Sequence, residues 1–168
     1  KKSLSISVIV FVIIFGAQFI VTPVESSSKL PKVGVVTTGG TIAMKYDPVK
    51  KGFVPAVSGE DLMAMAPKIR ELARIELLDL ARIPSSYMDP PMWVKVSKAV
   101  NNLLSDPEVA GAVITHGTDT LEETAWFLDL TVKSTKPVIC IGAMRGASEP
   151  DFDGARNLEN AVRIALSK

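Results

Sequence analysis

Apolar and polar positions along this chain fall into blocks whose period keeps changing. Positions 32–38 form a β-branched run ending in Gly39-Gly40, which predicts a buried strand. Positions 44–57 hold no sustained period and contain Pro48, Gly52 and Pro55, so they predict a mobile lid loop, longer than an ordinary connection. Ser58-Gly59-Glu60-Asp61 reads as a helix start, with Ser58 as N-cap and acids in the first turn. That helix runs to about Met65, Pro67 interrupts it, and a further turn reaches Leu72. Positions 74–81 alternate as a strand does, and 82–91, rich in Ser and Pro, predict a loop. Asp89 then caps a helix through Trp93, Val96, Val100 and Leu103-Leu104, at amphipathic spacing. A strand at 111–115, a helix at 121–130 opened by Asp119 or Thr120, a strand at 137–141 and a helix at 152–166 complete the pattern. Strand–helix units in succession predict an α/β fold of three layers, with a mostly parallel sheet and helices on both faces, Rossmann- or flavodoxin-like. Trp93, Trp126 and the Met residues occupy core-like helical positions and are expected to be packing.

The first residues follow a different rule. Lys1-Lys2 precede an apolar stretch at 8–15 that continues less purely to Val21, before Thr22-Pro23 and Ser26-Ser27-Ser28. A positive start, an apolar centre and a small-residue tail describe a secretory signal peptide, with cleavage after Ser26. An uncleaved anchor is the alternative, because positions 4–21 just reach the roughly 17–25 residues of a membrane span. Residues 1–28 are thus expected to be a signal peptide or amino-terminal anchor, and 29–168 the folded domain. The expected location is periplasmic or secreted, or membrane-anchored if the leader stays.

Composition narrows the chemistry. Nineteen Lys and Arg face eighteen Asp and Glu, so the net charge is near zero. No basic run or aromatic–basic interleaving marks a nucleic-acid partner. The single Cys, Cys140, lies in a predicted strand and has no intrachain disulfide partner. One His and no Cys or His cluster with ligand spacing imply neither metal nor cofactor.

Two loops carry candidate chemistry: Thr37-Thr38-Gly39-Gly40-Thr41-Ile42-Ala43 and Thr115-His116-Gly117-Thr118-Asp119-Thr120. Each follows a predicted strand, at the end where open parallel sheets bind ligands. Singly, either could be a tight turn. Together they offer a hydroxyl nucleophile, backbone donors and one carboxylate, an inventory suited to attack on a carbonyl. Backbone N–H groups from Gly117 to Asp119, at a helix start, are candidate oxyanion donors. His116 reads as structural, bonding neighbouring loops, because it and Asp119 flank Thr118 too closely to form an ordered relay. Arg145 reads as a partner for acids near Asp153.

A third segment, Gly142-Ala143-Met144-Arg145 with Asp153-Gly154-Ala155-Arg156-Asn157-Leu158, joins these loops. The three resemble the bacterial-type L-asparaginase and glutaminase-asparaginase family, from Val33 to the end of the chain. The resemblance implies hydrolysis of L-asparagine, with L-glutamine as a secondary substrate, by double displacement. Thr41 aligns with the family's nucleophilic threonine, and Thr118 and Asp119 with its second catalytic threonine and adjoining aspartate. Ser85 and Ser86 fall in the region that binds the substrate's α-amino and α-carboxylate groups; Ser85 matches a usual serine, and Ser86 stands where some members carry Gln. The family's lid tyrosine is replaced by Phe53, leaving Tyr46, seven residues earlier, as the candidate phenol, with a different activating group as the alternative. The family also continues to a catalytic lysine, which no lysine here matches, and to a smaller domain that completes a neighbouring subunit's site. The resemblance therefore implies an incomplete catalytic domain, a 168-residue chain inactive alone, and a homo-oligomeric full-length protein. A non-catalytic amino-acid-binding domain, or an amidase releasing ammonia from another amide, are the alternatives.

Overall fold

The computed structural model describes residues 30–167, so the leader expected at 1–28 lies outside the described residues. Strand β1 (Lys32–Gly39) is the centre of a four-stranded parallel sheet, ordered β4-β1-β5-β6, with β4 (Arg74–Ile83), β5 (Val109–Thr115) and β6 (Val138–Ile141). After its first residue β1 is wholly buried, as its unbroken apolar run requires of a strand covered on both faces.

Two apolar cores confirm three layers. On one face Val33, Val35 and Val113 pack beneath α1 (Gly59–Met65), α2 (Ile69–Leu72) and α5 (Gly154–Leu166). On the other, Val36, Ala112 and Ile114 pack beneath α3 (Pro90–Ser105) and α4 (Leu121–Thr131). The periodicity of α3 explains its place: Val96, Val100, Leu103 and Leu104 form one buried stripe. Its start is fixed by Asp89, whose carboxylate accepts from Met92 N–H at 2.9 Å, with prolines in the first turn where no donor is wasted. Ser58 likewise caps α1, in a reciprocal box with Asp61.

Positions 44–57 differ from the expected open loop. They fold as an antiparallel hairpin of β2 (Met44–Asp47) and β3 (Gly52–Pro55). Asp47 closes its turn by accepting from Val49 and Lys50 N–H groups, and Lys51 takes the left-handed conformation. The hairpin is also moored: Ala147 N–H donates to Met44 carbonyl oxygen at 2.7 Å, and Tyr46 N–H donates to Ser148 Oγ at 2.9 Å. Other boundaries shift slightly. β4 continues through Ile83, a 3₁₀ turn fills Ser85–Tyr87, and α5 begins at Gly154. Two side chains expected in the core are on the surface, Trp126 and Met144. Trp126 is two residues from both buried Thr124 and buried Leu128, which on a helix turns it to the opposite side.

Candidate active site

Strand order reverses at β1, with β4 on one side and β5 on the other. The crevice beyond the carboxyl ends of adjacent strands at such a reversal is where open α/β sheets take ligands. Both threonine–glycine loops leave from paired positions, since Thr37 lies opposite Thr115.

The first loop turns by means of glycine. Gly39 and Gly40 have φ of 111° and 79°, and Gly40 N–H donates to Ile83 carbonyl oxygen at 3.0 Å. A 3₁₀ turn, Thr41–Ala43, follows. Ile42 and Ala43 are buried and Thr41 is half-buried, so the turn keeps its apolar residues in the core and its hydroxyl residue at the boundary.

The second loop meets the first through bare backbone. A side chain on Gly40 would overlap the backbone of Gly117, and one on Gly117 would strike the Ser85 side chain and approach Gly40 Cα at 3.1 Å. Thr41 and Thr118 are the residues that follow these two touching glycines. The third side is Ser85, buried in its turn after β4. Its Oγ accepts from Asp119 N–H at 3.2 Å, and its carbonyl oxygen accepts from Thr120 Oγ1 at 2.8 Å. So β4, β1 and β5 each send one loop to a single place. Thr118 and Asp119 are exposed there, while Ser86 is exposed on the outer side of the Ser85 turn. One candidate oxyanion donor, Asp119 N–H, is occupied by Ser85 in this state.

His116 is fully buried and bonded at both ring nitrogens. Nδ1 lies 2.7 Å from Gly117 carbonyl oxygen, which can only accept, so Nδ1 carries the proton. Nε2 then accepts from Thr124 Oγ1 at 2.8 Å, and Thr124 Oγ1 accepts in turn from Trp93 Nε1 at 2.9 Å. Burial pushes the pKa of His116 down, which favours this neutral form of the ring. His116 thereby fixes the Gly117 carbonyl next to Thr118, the structural role expected of it. A depressed histidine resists the proton that the unfolded chain accepts, so stability falls as pH drops below about 6.5 and levels off below the folded-state pKa. A His116→Asn variant should lack that acid slope in thermal unfolding, and an unchanged slope would refute the assignment.

Two further supports were not legible as such in the sequence. Asp79, on β4, accepts from Thr37 Oγ1 at 2.7 Å and from Gly59 N–H, and pairs with Arg82 at 2.6 Å. Partial burial opposes its charge, but Arg82, Thr37 and Gly59 together hold its pKa low. Trp93 and Thr124 act only through the chain to His116. A signal for either was absent because the partners lie on different elements.

The third segment behaves as a latch. Asp153 accepts from the N–H groups of Met144 and Arg145, and Asn157 Nδ2 bridges Asp153 to Gly142 carbonyl oxygen at 3.1 Å. Arg145 pairs with Asp151 at 3.2 Å and with Glu149, as its acidic surroundings predicted. Phe53 lies over Gly146, and directly opposite it across the hairpin is Tyr46, ring centroids 5.8 Å apart. Burial raises the Cys140 thiol to about 11, which keeps it unreactive.

The family model described as Asparaginase, N-terminal, matches residues 32–168. The chain belongs to the asparaginase family. It is 41% identical over 147 residues to the Haemophilus influenzae protein named "Probable L-asparaginase periplasmic", a match covering 86% of this chain and 42% of that protein. It is 38% identical over 154 residues to the glutaminase-asparaginase of Pseudomonas fluorescens biotype A, covering 86% of this chain and 41% of that protein. The crystal structure of the "Probable Cytoplasmic L-asparaginase" from Campylobacter jejuni superposes with a TM-score of 0.76 at 41% identity, covering 82% of this chain and 42% of that one. This chain thus spans about two-fifths of the length of these asparaginase relatives, and their names include both a periplasmic and a cytoplasmic location.

Proposed function

We propose that the whole protein hydrolyses L-asparagine to L-aspartate and ammonia at the crevice between the β1 and β5 loops, with L-glutamine as a secondary substrate. The observation that supports this reading is the close approach of the Gly40 and Gly117 backbones, the residues that precede Thr41 and Thr118. Thr41 Oγ attacks the side-chain amide carbon and gives up its proton. The C–N bond breaks as the nitrogen takes a proton, and ammonia departs, leaving an ester on Thr41. Water, oriented by Thr118, attacks the ester; aspartate leaves and the Thr41 hydroxyl regains a proton. Asp119 holds the substrate ammonium by a charge-assisted hydrogen bond. Ser85 and Ser86 hold the α-amino and α-carboxylate groups. The domain at 29–168 supplies these residues after an export leader or anchor at 1–28, and the whole protein is a homo-oligomer.

Tyr46 supplies the phenol that Phe53 lacks. Cross-strand pairing sets both rings on one face of the hairpin, so a hydroxyl on Tyr46 serves the same side of the lid. Tyr46→Phe should lower kcat for asparagine by about ten- to a hundred-fold with little change in KM. An unchanged kcat removes Tyr46 from the mechanism. The reading as a whole is tested by ammonia release from asparagine, alongside calorimetric binding of asparagine. Binding without ammonia favours an amino-acid-binding domain on the same scaffold. The change from asparagine to glutamine is one methylene, worth about 1–3 kcal/mol, so the ratio of their kcat/KM values measures the preference.

A further inference from the structure

The chemistry above draws on the β1 loop, the β5 loop and the Ser85 turn, and it leaves the third segment, 142–157, without a task. The backbone donors of that segment are taken up in order. Met144 N–H and Arg145 N–H go to the Asp153 carboxylate, at 3.2 and 3.0 Å, and Gly146 N–H goes to the Glu149 carboxylate at 2.5 Å. These bonds stiffen the segment from within. The next donor, Ala147 N–H, reaches outside it, to the Met44 carbonyl oxygen at 2.7 Å.

That bond lands beside the turn of Thr41. Met44 N–H donates to the Thr41 carbonyl oxygen, so Met44 links Thr41 to Ala147 through two hydrogen bonds. Ile42, in the same turn, rests against Gly154, where a Cβ would lie 2.7 Å from Ile42 Cγ1. One step further along, Tyr46 N–H donates to Ser148 Oγ at 2.9 Å. Phe53, the cross-strand partner of Tyr46, covers Gly146 so closely that a Cβ there would overlap its ring. The tip of the hairpin stands clear of this support: Val49 is 89% exposed, and Lys50 and Lys51 are exposed beside it.

We propose that Gly146 and Ser148 are positioning residues, which hold the Thr41 turn and Tyr46 at the crevice without touching substrate. This role rests on the hydrolase reading above. Two strands of four residues are marginal by themselves in water, so the place of the hairpin is set by what it rests on. A reacting group displaced by about 1 Å can lose about a hundred-fold in rate, so a support remote from the chemistry still governs it. Gly146 is needed for room and not for conformation, because its φ is not in the left-handed range. A methyl group at that position therefore acts by pushing the Phe53 ring, and the hairpin with it, away from the segment.

Steady-state kinetics and limited trypsin cleavage of the whole protein test this. A protease needs extended chain, so cleavage after Lys50 or Lys51, located by mass spectrometry, reports the fraction of molecules whose hairpin has left its support. Gly146→Ala should speed that cleavage and lower kcat for asparagine, each by about ten-fold, with KM changed by less than about two-fold. Ser148→Ala should act in the same directions by about three-fold, at an unchanged thermal midpoint, and Ser148→Thr, which keeps the hydroxyl, should return both to parental values. In a Tyr46→Phe background Ser148→Ala should cost no further kcat, because its bond acts through Tyr46. If Gly146→Ala does not fold, the two Ser148 variants still decide. Parental cleavage rates in both variants would overturn the support, and faster cleavage at parental kcat would overturn the positioning role. An undiminished loss from Ser148→Ala in the Tyr46→Phe background would overturn the route through Tyr46. A parent protein that releases no ammonia would overturn the hydrolase reading and this role with it, while cleavage would still report the support.

Discussion

Thr41→Ala in the whole protein is expected to reduce ammonia release from asparagine by about a thousand-fold or more, with the fold intact. Two features make this a clean experiment. Thr41 is half-buried, and its hydroxyl makes no hydrogen bond to a described residue. Removing it should therefore change stability by only about 0.5 kcal/mol. The loss would fall on kcat, because a hydroxyl that bonds to the reacting carbon contributes in the transition state far more than in the bound substrate. Asparagine binding, measured by calorimetry, should survive, since Ser85, Thr118 and Asp119 remain. Thr41→Ser should recover part of the rate, because it returns the oxygen without the methyl group. Full ammonia release by Thr41→Ala would remove Thr41 as the nucleophile.

Gly40→Ala should have the largest effect on stability, about 2–6 kcal/mol. Gly40 combines φ of 79° with ψ of −176°, a region open almost only to glycine. Forcing a side chain there costs about 1–3 kcal/mol. The new methyl group would also overlap the Gly117 backbone, which cannot rotate aside as a side chain can. Overpacking of that kind adds about 1–3 kcal/mol. Gly117→Ala separates the two contributions, since its φ is not in the left-handed range. It should lose the packing part alone, by pressing on Ser85. Denaturant unfolding of both variants measures the difference. A Gly40→Ala protein as stable as its parent would mean that the loops stand apart in solution, and the shared crevice would go with it.

Much of this architecture is legible in the sequence because it rests on local patterns. The β-branched run of β1, the stripe on α3 and the caps at Ser58 and Asp89 are each written within one or two turns of chain. The convergence of the two loops follows once both strands belong to one parallel sheet. What escaped is what depends on partners far away in sequence. The β2–β3 hairpin has strands of four residues each, too short to show a period, and it is held partly by Ser148, 102 positions from Tyr46. The Trp93–Thr124–His116 chain joins two helices and a strand end. Trp126 misled for another reason: a large apolar residue is usually interior, and only its helical phase against Thr124 and Leu128 sets it outside. Ser85 was reached by resemblance alone, since nothing around it in the sequence marks it as the third side of the crevice.

The central place of β1 has a consequence for synthesis. Of the four strands of this sheet β1 is the first to leave the ribosome, yet both its neighbours are made later, and the second of them ends only at Thr115. Until then Val33, Val35 and Val36 have no finished sheet to enter, and a nascent chain in that state is prone to stick to others. The crevice cannot pre-exist its third strand. A pause in translation before β5 should therefore lengthen the window for chaperone capture, whereas a pause after it should not.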